Sequence, residues 1–309
     1  MQSADVSEQV TTYEIPFGEK SIHVPELPPL NPELYWLSPQ EAEFFKAAIG
    51  IDDDEELKAH ILSVQEKTWK IAPYGCVYVF GFLRMAIVHR PEYQEIVKIG
   101  RERENAIFLD IGCCLSTESR RVAADGWPAH NIIASDLKQG FLDLSHALFR
   151  TSKETYPGHF IAGNVLDPEM LTIVPPARGP VSTPLPDLSS LTALTSLHGH
   201  CSVINASAFF SCFTEEQQLH VARALAGLLS PVPGSIITGG HPGATVKGNY
   251  PHSCLNIDYD VFCHSPESWT ELWDGTVFAK GEVKVTTRLR EIPMLGNIFL
   301  LLEWSVTRL

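Results

Sequence analysis

No run of lysine or arginine interrupts this 309-residue sequence, and 23 basic residues stand against 37 acidic ones, a formal charge of −14. A surface of that sign repels phosphate backbones, so nucleic acid is not an expected partner. No stretch of about 18 apolar residues is present, which argues against a membrane-spanning helix. The N-terminal MQSADVSEQVTTYEIPFGEK lacks a basic start followed by an apolar run, so no secretory signal is read from it. The seven cysteines are odd in number and include no CxxC pair, and Cys113 and Cys114 are neighbours that bridge only with strain. These absences predict reduced thiols in a cytoplasmic setting rather than a disulfide framework. With 44% hydrophobic and 19% charged residues the chain has the makings of a sizeable core, and a small-molecule partner suits it best.

Periodicity divides the chain. Residues 1–33 are extended and proline-bearing and read as an arm lying on the surface. Ser38, Pro39 and Glu41 form a capping box with proline in the first turn, so a helix begins there. A second helix is expected from Asp53 to about Lys70, its acidic start DDDEE opposing the helix dipole, and a third after Pro91. Residues 1–100 thus read as an arm and helical cap. From 101 to 309 short apolar runs alternate with helical periods. Strands are expected at AIFLDIG (106–112), NIIASD (131–136), HFIAGNV (159–165), CSVINAS ending at Ser207, and GSIITGG (234–240). Helices are expected at 116–126, around Phe141–Phe149, at 214–229 and at 265–274. This alternation implies a parallel sheet covered on both faces. The final runs, 282–292 and 297–309, are joined too closely for a parallel crossover and must pair antiparallel. The expected fold is therefore α/β: a Rossmann-like class I methyltransferase sheet, mostly parallel, closed by a C-terminal antiparallel hairpin and carrying a helical N-terminal appendage. Residues 168–199, rich in Pro, Ser, Thr and Leu, read as a surface insertion.

A further absence decides the cofactor. Dinucleotide sites use G-x-G-x-x-G to seat a pyrophosphate on a helix N-terminus. Here the loop is Gly112-Cys113-Cys114-Leu115-Ser116-Thr117-Glu118, with one glycine, Asp110 before it and Glu118 entering the helix. That loop disfavours a diphosphate and suits a cation. S-adenosyl-L-methionine brings an ammonium and a sulfonium and no phosphate. Asp110 is expected to hold the ammonium, Gly112 and Cys113 to let the methionyl part approach, and Asp136, followed by Leu137, to accept both ribose hydroxyls. Asn164 is expected at the adenine amino edge, Val165 against the ring, and Asn205 facing the point of methyl transfer.

The segments LDIGCCLSTESRRVAADG, NIIASDLKQGFLDLSHALFR, INASAFFSCF and FCHSPESW resemble a family of fungal class I-like methyltransferases of specialised metabolism, acting on meroterpenoid and polyketide intermediates. The resemblance runs from about residue 70 to the C-terminus. Asp110, Gly112, Cys113, Cys114, Arg120 and Asp136-Leu137 match the family pattern. Leu115 and Ser116 replace its Phe and Gly, and Asn205 and Ser211 stand where it often has His. The resemblance implies an S-adenosylmethionine-dependent methyltransferase acting on a small molecule.

A carboxylate acceptor needs no base, whereas a phenol or alcohol benefits from a nearby His. The candidates are His241 and His264, with His252 a weaker third. Tyr74, Phe80, Phe209, Phe210, Phe262 and Trp269 are candidate walls of an apolar acceptor pocket. His198 and His200 lack a third ligand, and no metal is expected. Besides a small-molecule O-methyltransferase, an NAD(P)-dependent oxidoreductase and a non-catalytic protein that kept the fold are the alternatives.

Overall fold

The computed structural model describes residues 12–13, 22–23, 27–254, 257–294 and 297–309. Most of the proposed N-terminal arm lies outside these residues; Thr12–Tyr13 pairs antiparallel with Ile22–His23.

The cap opens with α1 (Pro39–Ile49), where the Ser38 hydroxyl and the Glu41 carboxylate close the expected capping box and Gly50 ends the helix at φ 74°. Helix α2 (Asp54–Ile71) is capped by Asp53 and starts with Asp54, Glu55 and Glu56, and the short α3 (Gly75–Tyr78) follows. Phe45, Leu57, Ile61, Val77 and Phe80 make the core of this cap. The same cluster takes in Leu115, Phe141, Leu148 and Phe149, so the cap shares its core with the domain below. The next helix, α4 (Tyr93–Glu102), packs instead on the sheet, with Ile96, Val97 and Ile99 against Phe108 and Trp127.

The sheet strands are β1 (Ile107–Ile111), β2 (Ile132–Asp136), β3 (His159–Ala162), β4 (Cys201–Ser207) and β5 (Ile236–Pro242). An antiparallel hairpin, β6 (Gly248–Cys254) and β7 (Ile257–Cys263), stands apart from them. The last strands, β8 (Val283–Met294) and β9 (Asn297–Arg308), return to the sheet. Its order is β8-β9-β5-β4-β1-β2-β3. The first five strands run parallel, and β9 is antiparallel to both β5 and β8, as expected from the short connection. Side chains alternate across the pleat: Ile107, Leu109 and Ile111 enter the core beneath α7 (Glu215–Leu228) and α8 (Pro266–Trp273), whereas Phe108 faces α4. Helices α5 (Thr117–Ala124) and α6 (Gln139–Leu148) complete the layers.

Two findings differ from the sequence reading. The β6–β7 hairpin was not expected. The 168–199 segment is more than a surface insertion: Met170, Leu171, Leu188, Leu194 and Leu197 are buried in the core shared with α7. Among the described residues no helix is long and apolar enough to cross a membrane.

Candidate active site

The strand order reverses between β1 and β4, and there the carboxyl ends of the strands open a cavity of about 780 Å³ under the cap. Its floor is the loop after β1. Gly112 sits at φ 68°, and a Cβ on it would lie 2.5 Å from Cδ2 of Phe209, so only glycine leaves this cradle open. The Gly112 and Cys113 amides donate to the Ser135 carbonyl (2.8 and 3.1 Å), tying the loop to β2. Cys114 and Ser116 also adopt left-handed backbone, at φ 50° and 56°, the latter where the family pattern has glycine.

Seven of the eight residues expected around the cofactor line this one cavity: Asp110, Gly112, Cys113, Asp136, Leu137, Asn164 and Val165. The carboxylate of Asp136 accepts the Cys114 amide at Oδ2 (2.9 Å) and the Lys138 amide at Oδ1 (3.0 Å), and burial raises its pKa. Each oxygen thus accepts a backbone amide, and the carboxylate lines the cavity with acceptor capacity to spare. Asn164 Oδ1 accepts the Leu166 amide at 3.0 Å, and among the described residues its amide nitrogen makes no hydrogen bond.

Asn205 is the exception. It is fully buried behind the lining. Its side-chain amide donates to Oδ1 of Asp110 (2.8 Å) and Oε2 of Glu118 (2.6 Å), and its carbonyl accepts from Arg90 (2.7 Å). Arg90 and Glu118, which sequence reasoning passed over as site residues, both line the cavity, as does Ser207. The Glu118 carboxylate also accepts the Ile87 amide of the cap (2.8 Å) and the Ser207 hydroxyl. Burial first, and the neighbouring Glu118 second, raise the Asp110 carboxyl to about 7, against the pull of its hydrogen bonds from Asn205 and Ser119.

The histidines lie elsewhere. His241 is packed among Phe210, Trp269 and Trp304, with Nδ1 accepting the Trp304 indole N–H at 3.0 Å. Burial lowers its pKa to about 3. His264 bonds Ser268 Oγ at 2.8 Å and meets the Trp269 ring edge-on, and burial lowers its pKa to about 4. Neither lines the cavity, which corrects their expected placement beside an acceptor; the strand after β5's glycines turns His241 into the aromatic core instead. His252 rests on Tyr259 and Phe299. His198 and His200 bond Thr172 and Thr183, and among the described residues no cluster of three His, Cys, Asp or Glu is arranged to hold a metal. Of the expected pocket aromatics, Tyr74 and Phe209 line the cavity; Phe80, Phe210, Phe262 and Trp269 are packed outside it. Phe82, Phe141, Phe213 and Phe299 line it as well. Arg120 lies over the Tyr156 ring at 3.4 Å, holding α5 to the approach to β3.

A doubly wound sheet in this order, closed by an antiparallel pair and carrying an acid-flanked, single-glycine loop at its switch point, defines a class I methyltransferase, with S-adenosylmethionine as methyl donor. Comparison narrows the class. The family described as "Meroterpenoid methyltransferase N-terminal domain" matches residues 29–83, the cap. O-methyltransferase phiE, from a fungal species (strain ATCC 74256), is 32% identical over 228 residues, 74% of this chain and 67% of that protein. The asnovolin E/chermesin D methyltransferase nvfJ of Aspergillus novofumigatus is 31% identical over 71% of this chain and 69% of its own. The chain belongs to this family of fungal methyltransferases. A solved S-adenosylmethionine-dependent methyltransferase from Mesorhizobium loti is 12% identical over 72% of this chain and all of that one, with a TM-score of 0.41, a likeness too low to bear on function.

Proposed function

We propose that this methyltransferase esterifies an apolar carboxylic acid, a small molecule of the meroterpenoid kind named in the description of the family that matches its cap. The observation that carries this reading is the lining itself: it contains six aromatic side chains among the described residues and no histidine. A phenol or alcohol near pH 7 needs a base to take its proton, whereas a carboxylic acid is already ionised.

The cofactor would supply an electrophilic methyl group on its sulfonium. The residues at the cavity floor fit the parts of that molecule. Asp136 accepts the ribose hydroxyls, Asn164 meets the adenine edge, and Leu137 and Val165 bracket the ring. Gly112 and Cys113 allow the methionyl chain close to the backbone, and Asp110 faces its ammonium. The protein's own work is to hold the acceptor oxygen in line and to keep water away, which Tyr74, Phe82, Phe141 and Phe209 favour. The free thiols at Cys76, Cys113, Cys114, Cys201, Cys212 and Cys263 support a reducing compartment such as the cytoplasm.

The product decides between acceptors. Incubating the protein with methyl-labelled S-adenosylmethionine and a panel of apolar carboxylic acids and phenols of matched size should give label released as methanol by mild alkali. Label held in an alkali-stable ether would reject the carboxylate reading.

A further inference from the structure

Two carboxylates, rather than one, face the part of the cavity assigned above to the cofactor's ammonium. Asp110 at the end of β1 is 3% exposed and Glu118 in the first turn of α5 is 9% exposed, and both line the cavity. They meet across a single group, since the Asn205 amide nitrogen gives one hydrogen to each, at 2.8 and 2.6 Å. The nearest cation does not neutralise either acid directly. Arg90 is 5% exposed, and its donors go to Asn205 Oδ1 (2.7 Å), Thr238 Oγ1 (3.3 Å) and Ser207 Oγ. The remaining charged and titratable groups around the pair are Cys113 in the loop, Tyr156 before β3, which is stacked under Arg120, and Glu92, which accepts from Thr238. None of these adds a free positive charge to the pair.

Two like charges this close in a water-poor site do not both ionise readily without a counter-cation. A cofactor ammonium is such a cation. We propose that Glu118 is the second carboxylate of the ammonium site, and that Asp110 beside it holds a proton which it gives up to solvent when the cofactor's ammonium arrives. The pair then stands as two carboxylates beside the ammonium, with Arg90 one hydrogen bond away behind Asn205. No covalent bond to the cofactor changes in this step. Because the Ile87 amide of the cap also bonds Glu118 (2.8 Å), the ionised pair is gripped by cap and sheet together. The raised pKa of Asp110 agrees with a retained proton.

This inference rests on the cofactor reading, and calorimetry separates the two. S-adenosylhomocysteine is titrated into the full-length protein at pH 6.0 in buffers of differing ionisation enthalpy. At that pH the ligand's α-amino group is already protonated, so proton exchange reports on the protein. Close to one proton should be released per ligand bound, and affinity should rise on the order of tenfold between pH 6.0 and 7.5. 5′-Methylthioadenosine, which lacks the ammonium, should bind without releasing a proton. Glu118→Gln should bind S-adenosylhomocysteine with clearly fewer protons released than the wild type at the same pH, because the charge beside Asp110 is gone while its burial remains. Wild-type binding with no proton exchange would overturn the retained proton on Asp110 even if the variant fails to fold. Failure of S-adenosylhomocysteine to bind at all would instead overturn the cofactor reading beneath it.

Discussion

His241 shows what residue-level reading captures and what it misses. A histidine just beyond a strand of an α/β sheet is a reasonable catalytic candidate, yet here it fills a gap among three aromatic rings and takes the Trp304 N–H. That bond fixes the neutral tautomer with its proton on Nε2, which is buried without a partner. Its pKa of about 3 lies below the ordinary value of 6.5, so between these pH values the unfolded chain binds more protons than the folded one. The stability His241 contributes is therefore complete above pH 6.5 and drains away as pH falls toward 3. Asp110, raised to about 7, acts in the opposite sense, its contribution present below 3.8 and lost as pH rises through 7. A comparison with His241→Gln isolates the histidine. Urea unfolding of both proteins should show the wild type losing about 2 kcal/mol more than the variant between pH 7.5 and 5. An unchanged gap would contradict a neutral, buried imidazole. The misplacement of Asn205 has a similar origin. Alternation on β4 puts Asn205 and Ser207 on one face, but only the depth of each along the strand decides that Ser207 reaches the cavity while Asn205 stays behind it. Glu118 was legible as an acid in a first helical turn, and nothing local told that its partner would be Asp110.

At the scale of elements, capping chemistry was the most readable signal. The boxes at Ser38/Glu41, Thr214/Gln217 and the cap at Ser265 with Pro266 each start a helix where the sequence places it. In α1 the box also carries tertiary weight, because Glu41 Oε2 both accepts the Ser38 amide (2.8 Å) and pairs with Arg84 (2.6 Å). Ser38→Ala should therefore cost about 1 kcal/mol in thermal or urea unfolding, and a loss near zero would show that Arg84 alone holds the helix start. The β6–β7 hairpin was missed because its first strand, GNYPHSC, carries a proline and mostly polar side chains, which left the alternating IDYDVFC without a visible partner, and the pair forms outside the main sheet. The leucines of 168–199 were visible, but their spacing follows neither helix nor strand, so the sequence does not tell which side they turn to the core.

For the molecule as a whole, the alternation of strands and helices and the tight link before β9 were enough to specify a doubly wound, mostly parallel order closed by an antiparallel pair, because crossover rules leave few other arrangements. The floor of the cavity followed from that order, since strand ends at a switch point converge wherever the fold is doubly wound. Its roof did not. The cap's closure over the site comes from a core shared among α2, α6 and Leu115, and such packing between distant segments has no period in the sequence. The acceptor's chemistry is correspondingly read from the assembled lining and from no single motif. Everything proposed for this methyltransferase depends on an S-adenosyl cofactor lying across the loop after β1 with its ribose on Asp136. The direct measurement is the affinity of S-adenosylhomocysteine for the wild type and for Asp136→Ala, with circular dichroism to establish that both are folded. The account predicts saturable one-to-one binding to the wild type, weakened at least about tenfold in the variant, the loss of about 1.4 kcal/mol or more that two charge-assisted hydrogen bonds imply. Equal affinity in the two proteins, or no binding to the wild type, would contradict it.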